Sequence, residues 1–254
     1  MQSALGCLVA TSQSNPLKPI HAMHQEEQNM TSDRSFRKNS LAAGVFYLLT
    51  FVSIPTLALY AQVHAPNYIV GPGPDTSVML GAVLEIIVAL AGIGTAVALF
   101  PVLKRHNEGF ALGFVTTRVL EASALFAGVA ALLSVVTLRQ AGVGADGLIA
   151  GQTLVALYDR LFLVGGSLMP AMNGLLLGTL MYRSRLVPRV LPVLGLIGVP
   201  LLLAGVIATL FGLIGRVSPL AGLSALPIAL WELSLGLWLT VKGFNPSPII
   251  SESA

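Results

Sequence analysis

Six ionisable side chains stand inside apolar stretches where an uncompensated charge is costly. Arg118 and Glu121 lie near the middle of Gly109–Leu138, a run long enough to cross a bilayer. An ionised group at that depth costs roughly 2.5–3.5 kcal/mol, whereas each Phe, Leu or Val returns only about 0.3–0.6 kcal/mol. Such a segment is stable only against partners. The two residues are three apart, share a helix face and can reach each other. Glu232 lies at similar depth in a later run, and Glu85, Asp159 and Arg160 fall nearer one surface. One economical pairing clamps Arg118 between Glu121 and Glu232 and gives Arg160 to Asp159 or Glu85. Two acids are then left over, and a desolvated carboxylate without a partner takes up a proton. The chemistry open to such a set is a substrate or proton path. The plainer alternative is a neutralised clasp that fixes helix order.

The elements that must position these groups follow from composition. Hydrophobic residues make up 55% of the chain, charged residues 10%, and the mean hydropathy is +0.82. A soluble globular chain carries about 25% charged residues, so the composition predicts an all-α, polytopic bundle of six membrane helices. The spans read as 40–60, 78–103, 109–138, 154–182, 188–214 and 220–241. Pro55 is expected to kink the first. In the second, Gly81, Glu85, Ala89, Gly92 and Ala96 form a small-residue stripe that turns Glu85 toward protein. In the third, Gly113, Thr117, Glu121, Ala124, Gly128 and Ala131 form another, and the two stripes are expected to meet. The segment from Arg139 to Thr153 reads as a Gly-rich loop. In the fourth span Asp159, Gly166, Pro170 and Asn173 share a face. Pro170 cannot donate to the carbonyl of Gly166, which predicts a kink there. A broken membrane helix can offer carbonyls to a ligand, which makes Asn173 a secondary candidate. Gly174 and Gly178 have close-packing spacing. The fifth span has no charge and is expected to face lipid. Trp231 and Trp238 read as packing or interface anchors.

Lys and Arg near the helix ends set the topology. Arg34, Arg37, Lys38, Lys104, Arg105, Arg183, Arg185, Arg189 and Lys242 fall on one side; only Arg139 and Arg216 fall on the other. Both termini are therefore expected in the cytoplasm. The net charge of +3 is small and spent on these helix ends, so the expected partner is the lipid bilayer and not nucleic acid. Residues 1–39 and 244–254 read as disordered. Met30 is a second candidate start, which would leave residues 1–29 untranslated. His21, His24, Glu26 and Glu27 could bind a metal, though a flexible tail is the commoner meaning, and no metal or other cofactor is expected. His64 and His106 fall at opposite sides of the membrane and cannot share a haem. The single Cys7 excludes an internal disulfide framework. No zinc helix or serine elbow is present. Gly166-Ser167 has no histidine within a span to activate it, so no catalytic residue is assigned. The loop from Ala61 to Ser77, with Gly71-Pro72-Gly73-Pro74, lacks the amides and lysine of a phosphate loop and reads as a turn.

Four segments in order carry a family resemblance. They are Lys38-Asn-Ser-Leu-Ala-Ala-Gly-Val-Phe-Tyr47-Leu-Leu-Thr, Arg118-Val-Leu-Glu121-Ala, Leu177-Gly-Thr-Leu-Met-Tyr-Arg183-Ser-Arg-Leu-Val-Pro188-Arg-Val-Leu, and Trp231-Glu232-Leu-Ser-Leu-Gly-Leu-Trp-Leu-Thr-Val-Lys242-Gly-Phe. Together they resemble the bacterial membrane proteins grouped as domain of unknown function 4386, over about Lys38 to Phe244. The resemblance implies a six-helix membrane protein and transfers no catalytic residue. The reading that results is a multi-pass protein of a bacterial cytoplasmic membrane, transporter-like or ligand-binding. Arg118, Glu121, Glu232 and Glu85 form its polar centre, and Asp159, Arg160 and Asn173 are secondary. A structural or accessory membrane protein is the alternative. These residues specify neither the ligand nor an oligomeric state.

Overall fold

The fold is given by a computed structural model of the chain. It describes residues 20–71 and 74–245, with side chains from residue 35 onward. The described chain is helical, and six of its segments are long and apolar enough to cross a membrane: Ser35–Leu59, Thr76–Leu103, Glu108–Gln140, Gly144–Ser184, Val190–Leu210 and Pro219–Val241. The helices are α1 (Ile20–Thr50), α2 (Thr56–Leu59), α3 (Thr76–Leu103), α4 (Glu108–Gln140), α5 (Leu148–Phe162), α6 (Met169–Ser184), α7 (Val190–Leu210) and α8 (Pro219–Val241).

Local chemistry sets most ends. Asn107 caps α4 by accepting from the Phe110 amide at 2.9 Å, with Glu108 in the first turn and Arg139 in the last, as the helix dipole favours. Ser218 caps α8 by accepting from the Ala221 amide at 3.2 Å, with Pro219 starting the helix. Pro55 acts earlier than a simple kink would: α1 stops at Thr50, a tight turn covers Phe51–Ser53, and α2 resumes beyond the proline.

Several expectations are corrected. The first helix begins at Ile20, so residues 20–39 are not an irregular segment. Residues 1–19, with Cys7, and residues 246–254 lie outside the described residues, as do the side chains of His21, His24, Glu26 and Glu27 and the pair 72–73. Within the described part of α1, Arg37 donates to the carbonyls of Thr240 and Val241 at 3.1 and 3.2 Å, satisfying the open end of α8. The chain after α8 is also held: the Asn245 amide donates to the Leu186 carbonyl at 2.7 Å. The Gly-rich stretch after Arg139 is mostly helical, with a short turn at Gly144–Gly147 and α5 starting at Leu148. The break in the fourth span is a π-helical turn, Leu163–Leu168, placed just before Pro170. Pro170 sits in the first turn of α6, directly after that wider turn.

Around the bundle the spans follow one another in a ring. Each packs on its sequence neighbours, and α8 closes the ring against α1. Glycines set the close approaches. A Cβ on Gly44 would lie 2.6 Å from the Thr240 backbone nitrogen, and one on Gly195 would lie 2.5 Å from the Trp231 ring. Gly198 and Gly205 are equally tight against Ile228 and Ser224. The fifth span therefore buries a glycine face against α8 and leaves an apolar face with Val190, Ile197, Leu201 and Ile207 exposed, where it can meet lipid. The third span's stripe meets the fourth span and not the second: Gly113 faces Leu176, Gly128 faces Tyr158, and Gly165 is pressed on Ala124.

Among the described residues, two of the three apolar clusters lie at opposite ends of the bundle; the third, smaller one joins Ala89 to Ala122 and Leu125. One, at the end that holds both described termini, draws on Tyr47, Leu99, Phe114, Leu177, Trp231 and Leu239 among others, from every span. The other, at the far end, gathers Tyr60, Val63, Val78, Leu132, Val135 and Tyr158, with no residue of α7 or α8.

Candidate functional site

At the middle of the ring Arg118 is 2% exposed. Its Nη1 donates to Glu121 Oε2 at 3.0 Å and its Nη2 to Glu232 Oε1 at 2.8 Å. The predicted clamp is thus present. The first bond is local to α4, where the three-residue spacing puts both side chains on one face. The second crosses the ring, because α4 and α8 are not principal neighbours. Asn173 Nδ2 donates to the same Glu121 oxygen at 2.7 Å, and Thr117 Oγ1 donates to Asn173 Oδ1.

Asn173 reaches this position through the π-helical turn. The wider turn rotates α6 by roughly 100° relative to α5, and in that register Asn173 faces α4 and is fully buried. The close approach needed is permitted by Gly165, where any side chain would meet Ala124. Asn173 thus belongs to the centre and is no longer secondary.

The guanidinium is also held by aromatic faces. Its carbon lies 5.2 Å from the Tyr47 ring centroid and 5.6 Å from that of Phe114. Tyr47 Oη is buried beside the guanidinium, and Trp231 Nε1 is buried without a hydrogen-bond partner among the described residues. The side chain of Glu121 is 11% exposed and that of Glu232 15%. Glu121 has two donors that fix it; among the described residues Glu232 has Arg118 alone. Two carboxylates share one guanidinium, so the triad carries one negative charge when fully ionised.

The remaining candidates form a separate group toward the far end. Glu85 is 2% exposed and turned inward, as its stripe predicts. It accepts from Tyr60 Oη at 2.9 Å and Tyr158 Oη at 3.3 Å and makes no ion pair among the described residues. The two rings meet edge to face at 5.4 Å. Asp159 pairs with Arg216 Nε at 2.9 Å and contacts His64 Nε2 at 3.1 Å. The proposed pairing of Arg160 with Asp159 or Glu85 is corrected: Arg160 is exposed and bonds to neither. The connection between α7 and α8 folds back over the fourth span and brings Arg216 to the acid, a contact that no local spacing signals. Arg216 also lies over Tyr158 and Phe162, at 5.5 and 5.2 Å.

A third polar knot closes the far end. Asp75 accepts from Arg139 Nη1 and Tyr68 Oη, each at 2.7 Å, and from Gln140 at 3.1 Å. Burial works to raise the Asp75 pKa, but the bonds from Tyr68 and Gln140 and the charge of Arg139 outweigh it and hold the carboxyl below its ordinary value. The two basic residues on the sparsely charged side are therefore both engaged with acids. Beside this knot a cleft of about 280 Å³ is lined by Val63, His64, Tyr68, Val155 and Asp159 among others, and it does not reach Arg118. His106, in the turn at the opposite end, cannot meet His64, and burial lowers its pKa. Among the described residues no three His, Cys, Asp or Glu side chains form a metal-binding group.

Sequence reasoning missed Tyr47, Tyr60, Tyr158, His64 and Arg216 as members of these groups. The only available signal for the tyrosines is amphipathic polarity within or beside a membrane span, where a hydroxyl needs a partner. No curated protein and no solved structure matches the chain. A family model matches residues 42–243, which hold every residue of the three polar groups, and the chain belongs to that family, described as Domain of unknown function (DUF4386).

Proposed function

We propose that this integral membrane protein is a proton-linked, transporter-like carrier in which Glu232 exchanges Arg118 for a proton or a small cationic ligand. The observation that carries the reading is the cross-ring bond from Arg118 to Glu232 between helices that otherwise scarcely touch. Glu121 is fixed by Asn173 as well as Arg118, so it keeps the guanidinium in place when Glu232 lets go. Neutralising Glu232 reduces the ion pair between α4 and α8 to a single weaker hydrogen bond, and that gives the ring two states to move between. The net negative charge of the triad favours a cation over an anion as the exchanging species. The positive-inside pattern supports a cytoplasmic location for both termini, and the family resemblance supports a bacterial cytoplasmic membrane as the setting.

The test is a thermal-shift screen of metabolites and lipids on the detergent-solubilised protein at two pH values. A compound that stabilises the wild type, with the effect abolished in Glu232→Gln and Arg118→Met, supports the reading and names the ligand class. A second reading, a structural clasp, is favoured by one observation: Arg118 is packed between Tyr47 and Phe114 with almost no exposure. It prevails if no compound acts and the Glu232→Gln variant binds and moves nothing differently from the wild type.

A further inference from the structure

His64 holds two partners of opposite demand on one nitrogen. Its Nδ1 lies 2.8 Å from the Tyr60 carbonyl oxygen. A carbonyl only accepts, so Nδ1 carries the hydrogen. In the neutral ring Nε2 is then a lone pair. It can accept from Arg216 Nη2, 3.3 Å away, but it has nothing to donate to Asp159 Oδ1 at 3.1 Å. In the protonated ring the roles reverse. Nε2–H donates to Asp159, and Arg216 loses its acceptor and faces a second positive charge. Asp159 Oδ1 also receives Arg216 Nε at 2.9 Å, so the imidazolium competes for the very oxygen that holds Arg216.

What Arg216 holds is the connection between α7 and α8. The far-end apolar cluster contains no residue of either helix, so at this end the connection is tied by Arg216 through Asp159, His64 and the faces of Tyr158 and Phe162. The groups facing His64 are Asp159 and Tyr158 from α5, Arg216 from the α7–α8 connection and Tyr60 from its own segment. Glu85 of α3 stands one step further in, behind the two tyrosine hydroxyls. We propose that His64 is a proton-binding switch that fastens the α7–α8 connection to the fourth span when neutral and releases Arg216 when protonated. The hydrogen bond to Asp159, partly opposed by burial, raises the His64 pKa above its ordinary 6.5, which places the switch where modest acidification works it. The inference is independent of any transported substrate.

The experiment is a distance measurement between spin labels in full-length protein in lipid nanodiscs, with Cys7 replaced by Ser. Labels go on the exposed positions Val217, next to Arg216, and Ile149, in the first turn of α5. Between about pH 8 and pH 5 the wild type should gain a longer-distance population with a one-proton profile and a midpoint above 6.5. His64→Gln, which cannot titrate, should show no pH-dependent shift. Asp159→Asn should show the long population at both pH values. A wild-type distribution unchanged across this range overturns the proposal without recourse to any variant. So does a shift of equal size in folded His64→Gln.

Discussion

Replacing Arg118 by Met removes the shared partner of two carboxylates at once. The side chains of Glu121 and Glu232 are 11% and 15% exposed, so neither gains much water in return. Breaking a buried pair from one side costs about 3–5 kcal/mol in water-soluble proteins. Within membranes the unfolded reference also finds partners, and single polar contacts reach at most about 1.7 kcal/mol. Two such bonds at that upper figure give about 3 kcal/mol for Arg118→Met, where both values agree. Glu232→Gln should cost only about 1 kcal/mol, because the amide oxygen still accepts from Arg118. The pair of variants must not add: once Arg118 is gone, neutralising Glu232 relieves an uncompensated acid. The double variant should therefore be more stable than the sum predicts by at least about 1 kcal/mol. Reversible unfolding in bicelles measures all four corners of the cycle. Arg118→Met within about 0.5 kcal/mol of wild type, or additive variants, would refute the clamp as an energetic unit.

Other expectations are simpler to read. Gly44→Ala places a methyl 2.6 Å from the Thr240 nitrogen and 2.8 Å from the Gly236 carbonyl, rigid backbone on both counts, and should destabilise by about 1–3 kcal/mol in the same assay. Gly92→Ala meets only Arg118 Cδ at 4.0 Å, so the helix propensity of Ala should leave it neutral or better by about 0.5–1 kcal/mol. Tyr60→Phe removes the nearer donor from Glu85 and should cost about 1–3 kcal/mol. Asp75 has a folded pKa below its ordinary 3.8, so its contribution is complete above that value and is lost as pH falls through the folded one. The stability gap between wild type and Asp75→Asn should close on acidification, and a gap that widens would reverse the sign. For His64, raised in the fold, the contribution is complete below 6.5 and is lost as pH rises through the folded value. His64→Gln should accordingly differ most from wild type on the acid side.

The helices, the clamp and the inward turn of Glu85 were legible because each rests on local spacing. Apolar length marks a span, three residues place Arg118 against Glu121, and a small-residue stripe points Glu85 away from lipid. The match of Glu232 to Arg118 was legible from depth alone. What failed depends on how chain segments far apart in sequence come together. Arg160 looked like the partner of Asp159 because it is adjacent, but adjacent helical residues point about 100° apart, and the true partner arrives from the α7–α8 connection. Gly113 and Gly128 formed a visible stripe, but a stripe does not say which neighbour it meets. Pro170 announced a break, and its form as a wider turn that carries Asn173 into the centre depends on Gly165 against Ala124.

The most direct test of the claim that Glu232 ties α4 to α8 through Arg118 is a spin-label distance measurement in lipid nanodiscs, with Cys7 replaced by Ser and labels on the exposed positions Leu120 of α4 and Leu230 of α8. The wild type should give one distribution, and Glu232→Leu, which removes the acceptor, should add a longer-distance population. Identical distributions in the two proteins would mean that this bond does not hold the ring together, and would contradict the account.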